Sequence, residues 1–129
     1  MNIPQDLKYT DNDEWVRVTG NIGTVGITDF AQDQLSDVVY VEILLSPGEE
    51  VKNGDSCATI ESVKAAADVY LPVSGKVVEV NESLADKPET VNSDPYGEAW
   101  MVKLELSNPA EVDTLKDAAG YADLLASKE

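Results

Sequence analysis

The chain has 129 residues, 25 Asp and Glu against 9 Lys and Arg, and a formal charge of −16, with enough apolar content (43%) to bury a core of its own. Its composition, with no histidine and one cysteine, excludes Ser-His-Asp and Cys-His catalysis, imidazole metal sites and an intrachain disulfide. So acidic a chain disfavours nucleic acid and anionic membranes as partners and favours basic patches on other proteins.

Gly and Pro cut the sequence into short, mostly strand-like segments. Glu14 to Thr19 alternates apolar and polar residues, Gly20-Asn21 reads as a turn, and Ile22 to Ile27 completes a hairpin. Thr28-Asp29 caps a short helix whose Phe30, Ala31 and Leu35 share one face. Asp37 to Leu45 is β-branched and apolar enough for a buried strand, and Ser46-Pro47-Gly48 and Asn53-Gly54 are turns. Cys57 to Val63 and Ala67 to Val73 are two strands flanking a short connection at Lys64. After the Ser74-Gly75 turn comes Lys76 to Val80. Asn81 to Asn92, polar and carrying Pro88, reads as a long loop with one helical turn at most; Asp94-Pro95-Tyr96-Gly97 is a turn, and Ala99 to Leu106 returns to strand. Asn108-Pro109 with Glu111 predicts a helix start. Val112, Leu115 and Ala119 share a face, Gly120 can end that helix, and Tyr121 to Ala126 adds another turn or two. The expectation is one β-rich domain over 1–129, with a core from about 14 to 106 and a C-terminal helical cap from about 108 to 127.

A Gly-marked turn followed by a Val-containing strand stands on either side of Lys64, at Pro47-Gly48-Glu49-Glu50-Val51 and at Ser74-Gly75-Lys76-Val77-Val78. Two similar halves meeting there place Lys64 at a hairpin tip. A lysine in such a connection is ordinarily a solvated charge. Its setting sets it apart: Ala65, Ala66 and Ala67 leave the amine unobstructed, the flanking strands hold its base, and Glu61 and Asp68 lie three before and four after. That is a surface a modifying enzyme can grip.

The stretch Glu61 to Gly75 (ESVKAAADVYLPVSG) resembles the lipoyl-lysine region of the glycine cleavage H-protein family. Supporting blocks are VGITDFAQDQLSDVVYVEI from Val25 to Ile43, PGEEV at 47 to 51 and VNSDPYGEAWMVKL from Val91 to Leu104; the likeness runs from Leu7 to Leu125. Biotin carriers of the same general fold typically flank their lysine with methionine, whereas Val63 and Ala65 are the neighbours here and the only methionines are Met1 and Met101.

The resemblance implies a mainly β fold, the lipoyl-type barrel-sandwich hybrid or hammerhead, with a short helix in the N-terminal half and a C-terminal helical cap. It implies covalent lipoate on Lys64, attached by a lipoate-attaching enzyme for which Glu61 is a recognition residue. Function follows as a carrier in glycine catabolism and one-carbon metabolism: an aminomethyl group passes from glycine decarboxylase, a pyridoxal-phosphate enzyme, through the lipoyl arm to aminomethyltransferase, and dihydrolipoyl dehydrogenase reoxidises the arm. The alternatives are a lipoyl relay that donates lipoate to other complexes and an unmodified acidic interaction domain. A tethered intermediate reaches successive active sites at high effective concentration, so the carrier needs no catalytic base of its own. The loaded arm, in the family, folds into a cleft where carboxylates hold its cationic amine; the matching positions are Glu14 and Asp68, with Asn12 as a polar contact. Asp13 stands where family members usually carry histidine.

Other candidates are weaker. Asp11-Asn12-Asp13-Glu14 opens like a calcium loop but has Val16 where that loop needs glycine. Paired carboxylates are expected by chance at this acid count. Cys57 reads as a small buried hydrophobe, and Trp15, Trp100 and the five tyrosines are too dispersed for a nucleic-acid platform. No apolar run reaches the roughly 20 residues that span a bilayer, and Met1-Asn2-Ile3-Pro4-Gln5-Asp6 has no presequence character. A cytoplasmic monomer without enzymatic activity is expected, with no metal, membrane or nucleic-acid partner.

Overall fold

A computed structural model describes residues 2–128, so Met1 and Glu129, the ends of the expected 1–129 domain, lie outside the described residues. Its strands are β1 (Lys8–Tyr9), β2 (Glu14–Thr19), β3 (Ile22–Ile27), β4 (Val38–Ile43), β5 (Glu50–Val51), β6 (Ser56–Ser62), β7 (Ala66–Tyr70), β8 (Gly75–Val80) and β9 (Val102–Leu106). The helices are α1 (Asp29–Leu35), α2 (Ser83–Asp86), α3 (Thr90–Ser93) and α4 (Ala118–Lys128), with a 3-10 turn at Pro109–Thr114. A six-stranded sheet runs β1-β2-β3-β9-β8-β5 and a three-stranded sheet runs β4-β6-β7, all pairs antiparallel.

The hairpin β2–β3 forms as the sequence predicts. Thr19 pairs with Ile22, which leaves a two-residue loop, and Gly20 takes the positive φ of 62° that such a loop requires. Trp15 pairs with Gly26, where a Cβ would come within 2.6 Å of the indole; glycine there lets the ring lie flat across the neighbouring strand. Between the sheets, Val16, Val25, Val41, Ile60, Leu71 and Leu104 form the main core. A second cluster of Leu7, Tyr9, Trp15, Tyr96, Tyr121 and Leu125 seats α4 against β1 and β2. The two similar blocks around Lys64 pair with each other, Glu50 with Lys76 and Val51 with Gly75.

Three expectations are corrected. The Asp37–Leu45 strand is not buried throughout: it runs from Val38 to Ile43, and a bulge between Val38 and Tyr40 leaves Val39 and Tyr40 exposed on an outer face. The Asn81–Asn92 loop holds α2 and most of α3, each burying one apolar residue, Leu84 and Val91. Gly120 does not end a helix. The Asn108–Pro109 start yields only the 3-10 turn, and α4 begins afresh where the Asp117 carboxylate accepts the Gly120 N–H at 2.8 Å, an N-cap bond that outweighs glycine's weak helix preference.

Candidate functional site

Pairing of β6 with β7 runs from Ser56↔Tyr70 to Glu61↔Ala66, so Ser62 to Ala65 forms a hairpin tip that leaves Lys64 exposed. Ser62 organises it. Its hydroxyl accepts the N–H of Ala65 at 3.0 Å and of Lys64 at 3.3 Å, and donates to the Ala65 carbonyl at 3.1 Å. The Val63 N–H donates to the Asp37 carbonyl at 3.0 Å, tying the tip to the turn before β4. The backbone of Lys64 is held while its amine is free to be reached.

Beside this hairpin lies a cleft of about 200 Å³. One wall is the turn and strand start Asn12-Asp13-Glu14; the second is α1, through Ala31, Gln34 and Leu35; the hairpin supplies Ile60, Ala67, Asp68 and Val69. Asn12, Glu14 and Asp68, named from the sequence, thus meet in one place. Asp68 lies four residues beyond Lys64 on the same hairpin, about 13 Å along the chain at the extended rise. Gln34 and the apolar face of α1 were not singled out for the site, although the spacing of Ala31 and Leu35 already put them on one helix face.

Glu14 is only 3% exposed. Its Oε1 accepts from the Thr10 hydroxyl at 2.8 Å and its Oε2 from the Tyr70 N–H at 3.1 Å, so the carboxylate joins β2 to the end of β7. Burial pushes its pKa up and the Asp13 charge adds to the rise, while the two hydrogen bonds pull it back. Asp68 is exposed and accepts from the Thr59 hydroxyl at 3.3 Å. Asp13 holds a positive φ of 68° and accepts the Tyr121 hydroxyl at 2.9 Å. Glu61 is exposed on the outer face of the three-stranded sheet, between Tyr40 and Ala66 in register, and lies outside the cleft.

The cleft therefore pairs apolar walls with carboxylates at its mouth and floor. That combination fits an extended hydrocarbon arm carrying a cationic end. Cys57 is buried, and burial followed by the Glu14 charge pushes its thiol up to about 12, which makes it inert as a nucleophile. Trp15 is a core residue whose Nε1 donates to the carbonyls of Ile27 and Pro95 at 2.9 and 3.0 Å.

Comparison with known proteins points the same way. The family model described as Glycine cleavage H-protein matches residues 7–128. The chain is 61% identical over 120 residues to the glycine cleavage system H protein of Symbiobacterium thermophilum, covering 93% of each. It is 51% identical over the full length of both chains to that of Anaeromyxobacter dehalogenans. Among solved structures, the glycine cleavage system H protein of Mycobacterium marinum superposes with a TM-score of 0.86 at 36% identity, covering 96% of this chain and 99% of that one.

Proposed function

The chain belongs to the glycine cleavage H-protein family, and on that premise we propose that Lys64 carries its lipoyl group and that Glu14, Asp68 and Asn12 form the cleft that receives the loaded arm. Proteins of this family are the lipoyl carriers of the glycine cleavage system, not catalysts, and serve glycine decarboxylase, aminomethyltransferase and dihydrolipoyl dehydrogenase. The attached group supplies a dithiolane disulfide that takes up the one-carbon unit and the electrons.

The observation that carries the reading is the placement of Lys64: exposed at a hairpin whose second strand also brings Asp68 to the mouth of the cleft, where the outer face of the three-stranded sheet begins. Ser62 presents the lysine as a fixed target, and Glu61, three residues before it on the exposed face, is the side chain the lipoate-attaching enzyme reads. Glu14, itself only 3% exposed, holds the cationic amine through a charge-assisted contact that its burial strengthens. Asp68 guards the entrance, Asn12 adds a polar contact, and Ile27, Ala31, Leu35 and Ile60 exclude water from the arm. Residues 1–129 act as a single carrier domain. No helix among the described residues is long and apolar enough to cross a membrane; the bacterial origin of the relatives supports the cytoplasm as the compartment, and we assign a monomer.

Intact mass spectrometry of the protein from its native host, localised to the peptide containing Lys64, tests this directly. One lipoyl increment is expected at Lys64 and none in K64R. An increment on another lysine, or none in the wild type, overturns the assignment. Stimulation of glycine–bicarbonate exchange by the lipoylated form, with purified decarboxylase, is the expected functional result; no stimulation favours a lipoate relay instead.

A further inference from the structure

Two walls of the cleft are linked through a residue that does not itself line the cleft. Tyr121, on α4, is fully buried and stacks on Tyr9 with ring centroids 4.6 Å apart and planes 5° from parallel. Its hydroxyl lies 2.9 Å from Asp13 Oδ1 and 2.7 Å from Thr28 Oγ1. An ionised carboxylate only accepts, so the phenol proton goes to Asp13. With that proton used, the Tyr121 oxygen accepts from the Thr28 hydroxyl, and Thr28 Oγ1 in turn accepts the Ala31 N–H at 3.2 Å. The chain of donors thus runs one way, from Ala31 through Thr28 and Tyr121 to Asp13. Ala31 belongs to the α1 wall and Asp13 to the wall that bears Glu14. A direct backbone tie, from the Thr28 N–H to the Asp13 carbonyl at 3.0 Å, fixes the same junction.

The aromatic stack and the packing of Leu7 and Leu125 would be served equally by phenylalanine. Phenylalanine would lose only the hydroxyl, the side-chain link between the two walls that supplements the backbone tie, and a buried hydroxyl is tolerated because it is paired on both sides. We propose that Tyr121 is a positioning residue for the cleft: through Asp13 and Thr28 it sets the spacing between the Glu14 wall and α1, so the C-terminal helix governs how well the loaded arm is sheltered. The inference rests on the reading of the cleft given above.

Y121F keeps the ring and removes the relay. Hydrogen exchange on the full, unlipoylated chain should show the Thr28 and Ala31 amides exchanging about five- to tenfold faster in Y121F, beyond any change in the slowest core amides. On the aminomethyl-loaded, lipoylated protein without aminomethyltransferase, water should cleave the aminomethyl carbon–sulfur bond severalfold faster, releasing formaldehyde and ammonia and leaving the dihydrolipoyl arm attached. L125A is the control, since it loosens the same cluster but leaves the hydroxyl in place; compared at matched global stability, it should leave both readouts near wild type. Equal acceleration in L125A, or wild-type behaviour in Y121F, overturns the inference. E14Q separates the two levels. Faster aminomethyl loss in E14Q with no acceleration in Y121F overturns the positioning role alone, whereas unchanged loss in E14Q overturns the cleft reading and this inference with it.

Discussion

Glu14 is a carboxylate that the fold keeps almost wholly from water while leaving it two donors, the Thr10 hydroxyl and the Tyr70 N–H. Burial raises its pKa above the unfolded value. Whatever stability Glu14 contributes is therefore fully present below the unfolded pKa and is lost as pH rises through the folded one, so acidification does not unfold the chain through this group. Holding a cation has the opposite requirement, because it needs the ionised form. As pH falls through the raised pKa of Glu14, its grip on a cationic amine should fade, and hydrolytic loss of the aminomethyl group from the arm should accelerate in that window. The same measurement on E14Q should lack that step; a profile identical to wild type removes Glu14 from the role. Asp13, next to it, explains a departure that the sequence alone left open. Its φ of 68° is a conformation in which Asp, Asn and His are enriched among non-glycine residues, so Asp and the histidine that the resemblance leads one to expect both suit this backbone. What changes is the side chain's partner. As an acceptor it takes the Tyr121 hydroxyl, and as an anion it adds to the rise in the pKa of Glu14.

On the proposed reading the hairpin β6–β7 is the element on which the function turns, and its tip is stabilised by one side chain. Ser62→Ala removes an acceptor for two N–H groups and a donor to the Ala65 carbonyl. Those bonds lie at the surface, where water replaces them, so the expected loss of stability is only about 1 kcal/mol, measured by urea unfolding. The larger effect should be kinetic: a frayed tip presents Lys64 in many orientations, and the rate of enzymatic lipoylation should fall severalfold with Lys64 still the modified residue. An undiminished rate would show that the attaching enzyme does not need a preformed turn. Elements of this kind were legible beforehand because turn chemistry and alternation agree, as in Gly20-Asn21 between β2 and β3 and in the runs flanking Lys64. Shorter or contradictory elements were not. The two-residue strands β1 and β5 carry too few positions for a period to show, α2 and α3 are single turns whose one buried residue each is indistinguishable from a loop anchor, and Gly120 signals a helix end that Asp117 overrides. For the site, acids near Lys64 could be picked from the resemblance. Tyr121 could not: it is 108 residues from Asp13, and only tertiary packing brings them together.

At the level of the whole molecule, a charge of −16 on 129 residues acts in two directions. Within the chain the acids repel one another. Among the described residues the ion pairs are Lys103–Glu79 at 3.8 Å and Lys116–Asp11 at 3.3 Å, each between partly or fully exposed side chains and so worth little. Toward partners the same field steers basic surfaces to the carrier. Of the seven large apolar side chains exposed among the described residues, Val39, Tyr40, Leu44, Val63 and Tyr70 lie on or beside the three-stranded sheet that ends in Lys64, interleaved with Glu42, Glu61 and Asp68. A partner that reaches Lys64 meets an apolar patch with an acidic fringe, which gives a contact part salt-sensitive and part not. Raising salt from about 0.01 M to about 1 M shortens the screening length from about 30 Å to about 3 Å. Internal repulsion and partner attraction are then screened together, with opposite consequences. Thermal stability should rise by a few degrees, whereas KM for the aminomethyl-loaded protein as substrate of aminomethyltransferase should rise and then level off, the plateau marking the apolar share of the contact. A stability that falls with salt would mean that the acids are paired more tightly than these distances indicate, and a KM indifferent to salt would mean that the acidic surface does not steer this partner at all.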